Sequence, residues 1–131
     1  MRGRIVASLT VAALSVAPGA HAQTPFHLEE ATIASVHATF ANGTLTCARL
    51  TRLYLDRIEA YNLKAPSLHA ILTVNPKAME MAAEMDRQYR ANRAGVGALF
   101  CVPIVLKDNF DTADMPTSGG NLAMKTSQPA K

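Results

Sequence analysis

The sequence predicts an α/β protein in which helices pack around a mixed, largely buried β-sheet. Apolar residues recur at intervals of three and four in three segments, which predicts three helices. Two further segments are short and rich in β-branched residues, which predicts strands. The resulting order of helix, helix, strand, helix and strand is typical of α/β proteins.

The first two helices have clear start signals. Thr32 is placed to cap a helix that presents one apolar face and ends at Gly43. Thr46 is placed to cap a second, amphipathic helix of about four turns. The apolar residues that define the two faces are Ile33, Val36 and Phe40 in the first helix, and Leu50, Tyr54, Ile58 and Tyr61 in the second.

A strand, a third helix and a second strand follow. Residues 70–74 form a short β-branched run, and Asn75-Pro76 then predicts a helix start with an asparagine cap. One face of that helix carries Ala78, Ala82, Met85 and Tyr89. The second predicted strand, residues 102–106, is apolar without alternation and is therefore expected to be buried on both faces.

Lys107 ends this apolar run abruptly and is the candidate catalytic residue. Open α/β sheets bind their ligands beyond the carboxyl ends of the strands, where Lys107 would lie. A partly buried amine at that place can lose its proton near neutral pH and act as a general base. The alternative is a lysine at a strand end that is neutralised by Asp108 or Asp111.

Two strands rarely form a stable sheet alone. We therefore expect residues 23–131 to be the N-terminal portion of a larger domain. The alternative is a small, complete α-rich protein with one pair of strands, which would leave the 102–106 strand half uncovered.

Residues 1–22 have the order of features found in a secretory signal peptide. Arg2 and Arg4 are followed by a short apolar stretch and by Ala20-His21-Ala22, a small-residue cleavage site. The alternative is a buried N-terminal helix. We expect a periplasmic or secreted protein with no stable membrane span after cleavage.

Composition and spacing exclude several classes of site. The chain has a net charge of +3, of which Arg2 and Arg4 lie in the leader, and no basic patch is interleaved with aromatic residues. Nucleic acid is therefore not an expected partner. The histidines do not cluster, so we expect no metal site and no cofactor. Cys47 and Cys101 are expected to be free, buried thiols, with a disulfide as the alternative in an exported protein.

Residues 28–124 resemble the N-terminal portion of the amidase signature family. Several segments match in order: residues 43–50, 54–62 and 68–76, then VPIVLKDN at 102–109 and DTADMPTSGG at 111–120. The chain departs from the family at Phe100-Cys101, where the family usually has His-Gly.

The resemblance implies the amidase-signature fold and hydrolysis of small-molecule carboxamides by a Ser–cis-Ser–Lys triad. By residue-to-residue match, Lys107 is the lysine of that triad. The Gly/Ser-rich segment that carries both serines has no match in this chain, which is expected to be inactive alone. The oligomeric state stays open.

Two other functions fit the same resemblance. One is a non-catalytic binding or interaction protein that retains the N-terminal fold without its serines. The other is a protein like the amidase-related component of the tRNA-dependent amidotransferases. The predicted signal peptide argues against the second, because that reaction takes place in the cytosol.

Overall fold

Three helices form the regular structure of this chain in a computed structural model that describes residues 26–129. The elements are α1 (Ile33–Ala41), α2 (Cys47–Tyr61), α3 (Ala78–Ala91) and two 3₁₀ turns (Arg93–Gly95 and Leu122–Met124). Within the described range, no helix is both long enough and apolar enough to cross a bilayer. The predicted signal peptide at 1–22 lies outside the described residues.

The first two helices begin at their predicted caps. The Thr32 hydroxyl accepts a hydrogen bond from the Ser35 N–H at 3.0 Å, and the Ser35 hydroxyl accepts one from the Thr32 N–H at 3.0 Å. The Thr46 hydroxyl accepts from the Arg49 N–H at 3.1 Å. After α1, Gly43 has a φ of 77°, which glycine adopts without steric cost. The helix predictions at both positions are confirmed.

The third helix begins two residues later than predicted. Asn75 does not cap it directly but closes a turn, in which its carbonyl accepts from the Ala78 N–H at 3.0 Å. Its side-chain oxygen accepts from the Lys77 N–H at 2.8 Å. Because the Asn75 side chain satisfies a donor of this turn, the helix starts only at Ala78.

The core lies where the three helices meet the turn that ends at Cys101. Leu50 is fully buried at its centre. The Tyr89 ring extends the core, with its centroid 6.2 Å from that of Phe40 and 5.9 Å from that of Phe100. The buried apolar residues are Val36, Phe40, Leu45, Cys47, Leu50, Ala82 and Cys101.

Cys47 and Cys101 form a disulfide, so the prediction of free thiols is wrong. Their Cα atoms are 5.6 Å apart, and the residues are 2% and 5% exposed. The predicted burial is confirmed. The two residues are separated by 54 positions, so only packing of the turn before residue 102 against the start of α2 brings them together.

The predicted strands at 70–74 and 102–106 do not form within residues 26–129, which contain no strand pairing. The expected burial of the 102–106 run on both faces is not seen within residues 26–129 either. Ile104, Val105 and Leu106 are 67%, 74% and 51% exposed. A strand exists only where a neighbouring strand accepts and donates its backbone hydrogen bonds, and the described residues offer no such neighbour to this run.

The start of α2 is held by a carboxylate from α3. The Asp86 side chain accepts from the Cys47 N–H at 2.7 Å and from the Ala48 N–H at 3.1 Å. The first N–H groups of a helix have no partner within the helix, and a negative charge there also interacts favourably with the helix dipole. Asp86 therefore fixes how α2 packs against α3.

We expect Asp86→Asn to lower the free energy of unfolding by about 1–2 kcal/mol. The amide keeps one acceptor oxygen but loses the second hydrogen bond and the charge. Urea unfolding followed by circular dichroism at 222 nm measures the change. Asp56→Asn, an exposed carboxylate on α2, is the control, and an equal effect of the two variants would contradict the role of Asp86.

Candidate active site around Lys107

Lys107 lies at the end of the apolar run, as predicted, and begins a turn. Its carbonyl accepts a hydrogen bond from the Phe110 N–H at 3.0 Å. Its side chain is exposed, as are the three apolar residues before it. The described residues thus present the lysine without the apolar cover that would shield its amine from water.

Asp108, the next residue, is held by the loop at 118–120. One carboxylate oxygen accepts from the Ser118 N–H at 2.9 Å. The other accepts from the Gly120 N–H at 3.0 Å and from the Ser118 hydroxyl. In addition, the Asp108 carbonyl accepts from the Gly119 N–H at 2.9 Å. The carboxylate therefore organises this loop beside Lys107.

These hydrogen bonds hold the pKa of Asp108 below its usual value. The Ser118 hydroxyl is the largest cause, followed by the N–H groups of Ser118 and Gly120, and the Lys107 charge contributes least. All of these partners favour the charged form of the carboxyl group. Asp108 is thus a carboxylate that binds the loop.

In the described part of the chain, the Lys107 amine forms no ion pair within 4 Å of Asp108 or Asp111, and its charge acts on Asp108 only weakly. The Asp108 oxygens contact the 118–120 loop. The ion pairs among residues 26–129 are Arg57–Glu29, Lys64–Glu59 and Arg87–Glu84. The catalytic role of Lys107 stays a prediction.

Further side-chain hydrogen bonds fasten the segment after Lys107 to itself. The Thr117 hydroxyl donates to the Phe110 carbonyl at 3.2 Å. The Gln128 amide donates to the carbonyls of Ala113 and Met115, each at 3.2 Å. Because these bonds replace regular secondary structure, neither a helix period nor a strand period in the sequence indicates them.

Two attachments join the segment around Lys107, called the lysine segment below, to the helices. The Asn75 amide donates to the Asp114 carboxylate at 2.7 Å, next to the turn that precedes α3. On the other side of Lys107, the Cys47–Cys101 disulfide and a 3.3 Å contact between His37 Nε2 and the Phe100 carbonyl hold the preceding turn. The chain is therefore attached to the helices on both sides of the lysine.

Asp108, Ser118 and Asn75 shape this site, although no motif or spacing in the sequence marks them as doing so. The pair Gly119-Gly120 is the sequence feature that could have indicated this loop, because glycine adopts positive φ easily. The two residues have φ values of 58° and 76°. Within residues 26–129, no group of three histidine, cysteine or acidic side chains is placed to hold a metal ion.

We expect the Ser118 and Gly120 amide resonances to shift together as the pH falls below the ordinary aspartate pKa of about 3.9. The folded pKa of Asp108 is lowered, so its stabilising effect is complete above the unfolded pKa and is lost as the pH falls through the folded pKa. Two-dimensional NMR across this range measures the midpoint.

Ser118→Ala removes the largest cause of the shift and is expected to move this midpoint upward. Asp108→Asn is expected to abolish the transition, whereas Asp111→Asn, an exposed carboxylate in the same segment, leaves it in place. A transition that survives Asp108→Asn would contradict the assignment.

Known proteins match this chain in sequence. The family profile described as Amidase matches residues 49–131. The chain is 39% identical over 98 residues to an amidase-named protein of Schizosaccharomyces pombe, covering 74% of this chain and 16% of that protein. It is also 39% identical over 89 residues to a glutamyl-tRNA(Gln) amidotransferase subunit of Mycobacterium tuberculosis, covering 67% of this chain and 17% of that protein.

Solved structures match it in fold. The native peptide amidase from Stenotrophomonas maltophilia gives a TM-score of 0.75 at 39% identity, over 82% of this chain and 22% of that chain. An amidase family protein from Bacillus anthracis gives 0.73 at 33% identity, over 79% and 20%. The chain spans about a fifth of the length of the relatives it matches. Because the family profile covers well over half of the sequence and includes Lys107 with its loop, the chain belongs to the amidase family.

Proposed function

We propose that this chain supplies the lysine base of an amidase-type hydrolase that cleaves carboxamide bonds with a Ser–cis-Ser–Lys triad. The observation that carries the proposal is Lys107 itself, which lies inside the family match, at the end of an apolar run. The mixed, buried β-sheet belongs to the same proposal, with residues 70–74 and 102–106 as strands that pair once further strands lie beside them.

The proposed chemistry needs a base next to the serine pair. A serine hydroxyl is a weak nucleophile until a neighbouring group removes its proton. In the proposed reaction, the amine takes a proton from the relay serine, which in turn takes one from the serine that attacks the amide carbon. The proton is later delivered to the leaving amine as the carbon–nitrogen bond breaks, and water then releases the acyl group from the serine. Neither serine has a match in this chain, so we propose that the chain alone is inactive.

The proposed substrate is a small molecule with a carboxamide or peptide amide group. Matched structures include a peptide amidase, and matched relatives include a component of an amidotransferase. The leader-like residues 1–22 and the Cys47–Cys101 disulfide favour a hydrolase outside the cytosol over the tRNA-dependent reaction.

A chimera tests the role of Lys107. Residues 26–129 replace the corresponding part of the Stenotrophomonas maltophilia peptide amidase, to which this chain is 39% identical. In that chimera, Lys107→Met is expected to lower kcat by about 10²–10⁴ because it removes the base. Hydrolysis of a peptide amide and the thermal midpoint are measured on the same sample.

Lys125→Met is the matched control, since this exposed lysine lies in the same segment after the catalytic position. It is expected to retain the activity of the chimera. Near-normal turnover by a folded Lys107→Met chimera would contradict the base assignment. A folded but inactive parent chimera would instead favour the non-catalytic binding protein.

We also propose that the protein is exported to the periplasm or beyond. A disulfide persists in oxidising compartments, and the pairing of Cys47 with Cys101 supports such a destination. The charged and then apolar leader supports it independently.

Expression of the full chain in a Gram-negative bacterium is expected to give periplasmic protein whose N-terminal sequence begins at Gln23. Ala22→Arg places a large charged residue at the cleavage site and is expected to block processing. Edman sequencing of the protein from the periplasmic and cytosolic fractions measures the outcome. Unprocessed wild-type protein that stays in the cytosol would contradict the export proposal.

A further inference from the structure

Cys101 has a backbone conformation that normally belongs to glycine. Its φ is 62°, in the left-handed region, where the Cβ of an L-residue is crowded by the following carbonyl oxygen. The residue is nevertheless 5% exposed and packed into the core. Something other than backbone preference therefore holds this turn.

The disulfide is placed to hold it. Cys47 is the first residue of α2, and its N–H donates to the Asp86 carboxylate at 2.7 Å. The sulfur bridge thus attaches the Cys101 turn to the first residue of α2, whose N–H is bound by a side chain of α3. Beyond Cys101, residues 104–106 are exposed and reach Lys107 without a further hydrogen bond to the helices.

We propose that the Cys47–Cys101 disulfide is a redox-sensitive clamp that keeps Cys101 in its left-handed conformation and so sets the direction in which residues 102–107 leave the core. Reduction by a dithiol breaks the S–S bond and gives two cysteine thiols, while the dithiol is oxidised to its own disulfide. Two electrons and two protons pass to the protein. The turn can then relax toward negative φ and change the direction of the lysine segment.

The effect of reduction is expected to be local. The helices keep their caps at Thr32 and Thr46 and the Asp86 contact, none of which involves a sulfur atom. The amides of Phe100 and Val102 report on the turn, because they donate to the carbonyls of Gly97 and Leu99 at 3.0 and 3.1 Å. The inference rests on the geometry of the turn and stands apart from the proposed function.

The experiment uses the full chain, purified under oxidising conditions, before and after treatment with dithiothreitol. Alkylation with iodoacetamide in denaturant, read by mass spectrometry, first counts the thiols. Two variants lack the bond: Cys47→Ser/Cys101→Ser keeps an L-residue at 101, and Cys47→Ser/Cys101→Gly places a glycine there. Hydrogen exchange then follows the Phe100 and Val102 amides, with the second half of α2 as the internal reference.

The oxidised chain is expected to take up no alkyl group, and the reduced chain two. Reduction and the double serine variant are expected to speed exchange in the turn about tenfold or more, with α2 unchanged. The glycine variant is expected to exchange about fivefold more slowly than the serine variant, because glycine restores the left-handed turn without the bond.

Any one of four results would overturn the clamp. The first is free thiols in the chain purified under oxidising conditions. The second is equal exchange in the turn before and after reduction. The third is equal exchange in the turn of the glycine and serine variants. The fourth is an equal acceleration in α2, which would mean that the bond stabilises the whole fold and has no local effect on the turn.

Discussion

The carboxylate of Asp86, where it accepts two N–H groups at the start of α2, is the contact on which the rest of this structure depends. It joins α3 to the end of α2 that lacks internal hydrogen-bond partners. Leu50, one turn further along α2, is the most deeply buried residue of the core. The disulfide to Cys101 is also formed at this end of α2, by Cys47. A shift of α2 against α3 would therefore disturb the core and the turn before Lys107 together.

The lysine segment is held at both ends and free in the middle. At residue 101 the disulfide joins the segment to Cys47, the first residue of α2, which lies 54 positions earlier in the chain. At residue 108 the carboxylate is held by the 118–120 loop. Between these two points, residues 104–106 make no contact that buries them. The position of Lys107 is thus set by its neighbours on both sides.

The sequence was sufficient to predict the local elements but not the contacts between them. Thr32 and Thr46 cap their helices because a cap depends on residues within three positions. Asn75 also matches the local pattern of a helix cap, but its side chain contacts Asp114 and α3 starts later than predicted. Asp86, the disulfide and the Asp108 loop join residues 39, 54 and 10 positions apart, and no periodic pattern marks such pairs. The predicted strands do not form within residues 26–129 for a related reason, since a strand depends on a partner.

The exposed run before Lys107 is apolar surface for which the described residues provide no partner. Ile104, Val105 and Leu106 are 51–74% exposed, and covering them would contribute about 1–2 kcal/mol for each side chain. The backbone of the run also has no strand partner within residues 26–129. Packing of another segment on this run would therefore be favoured both by apolar burial and by backbone pairing, and it would reduce the access of water to the Lys107 side chain that follows the run.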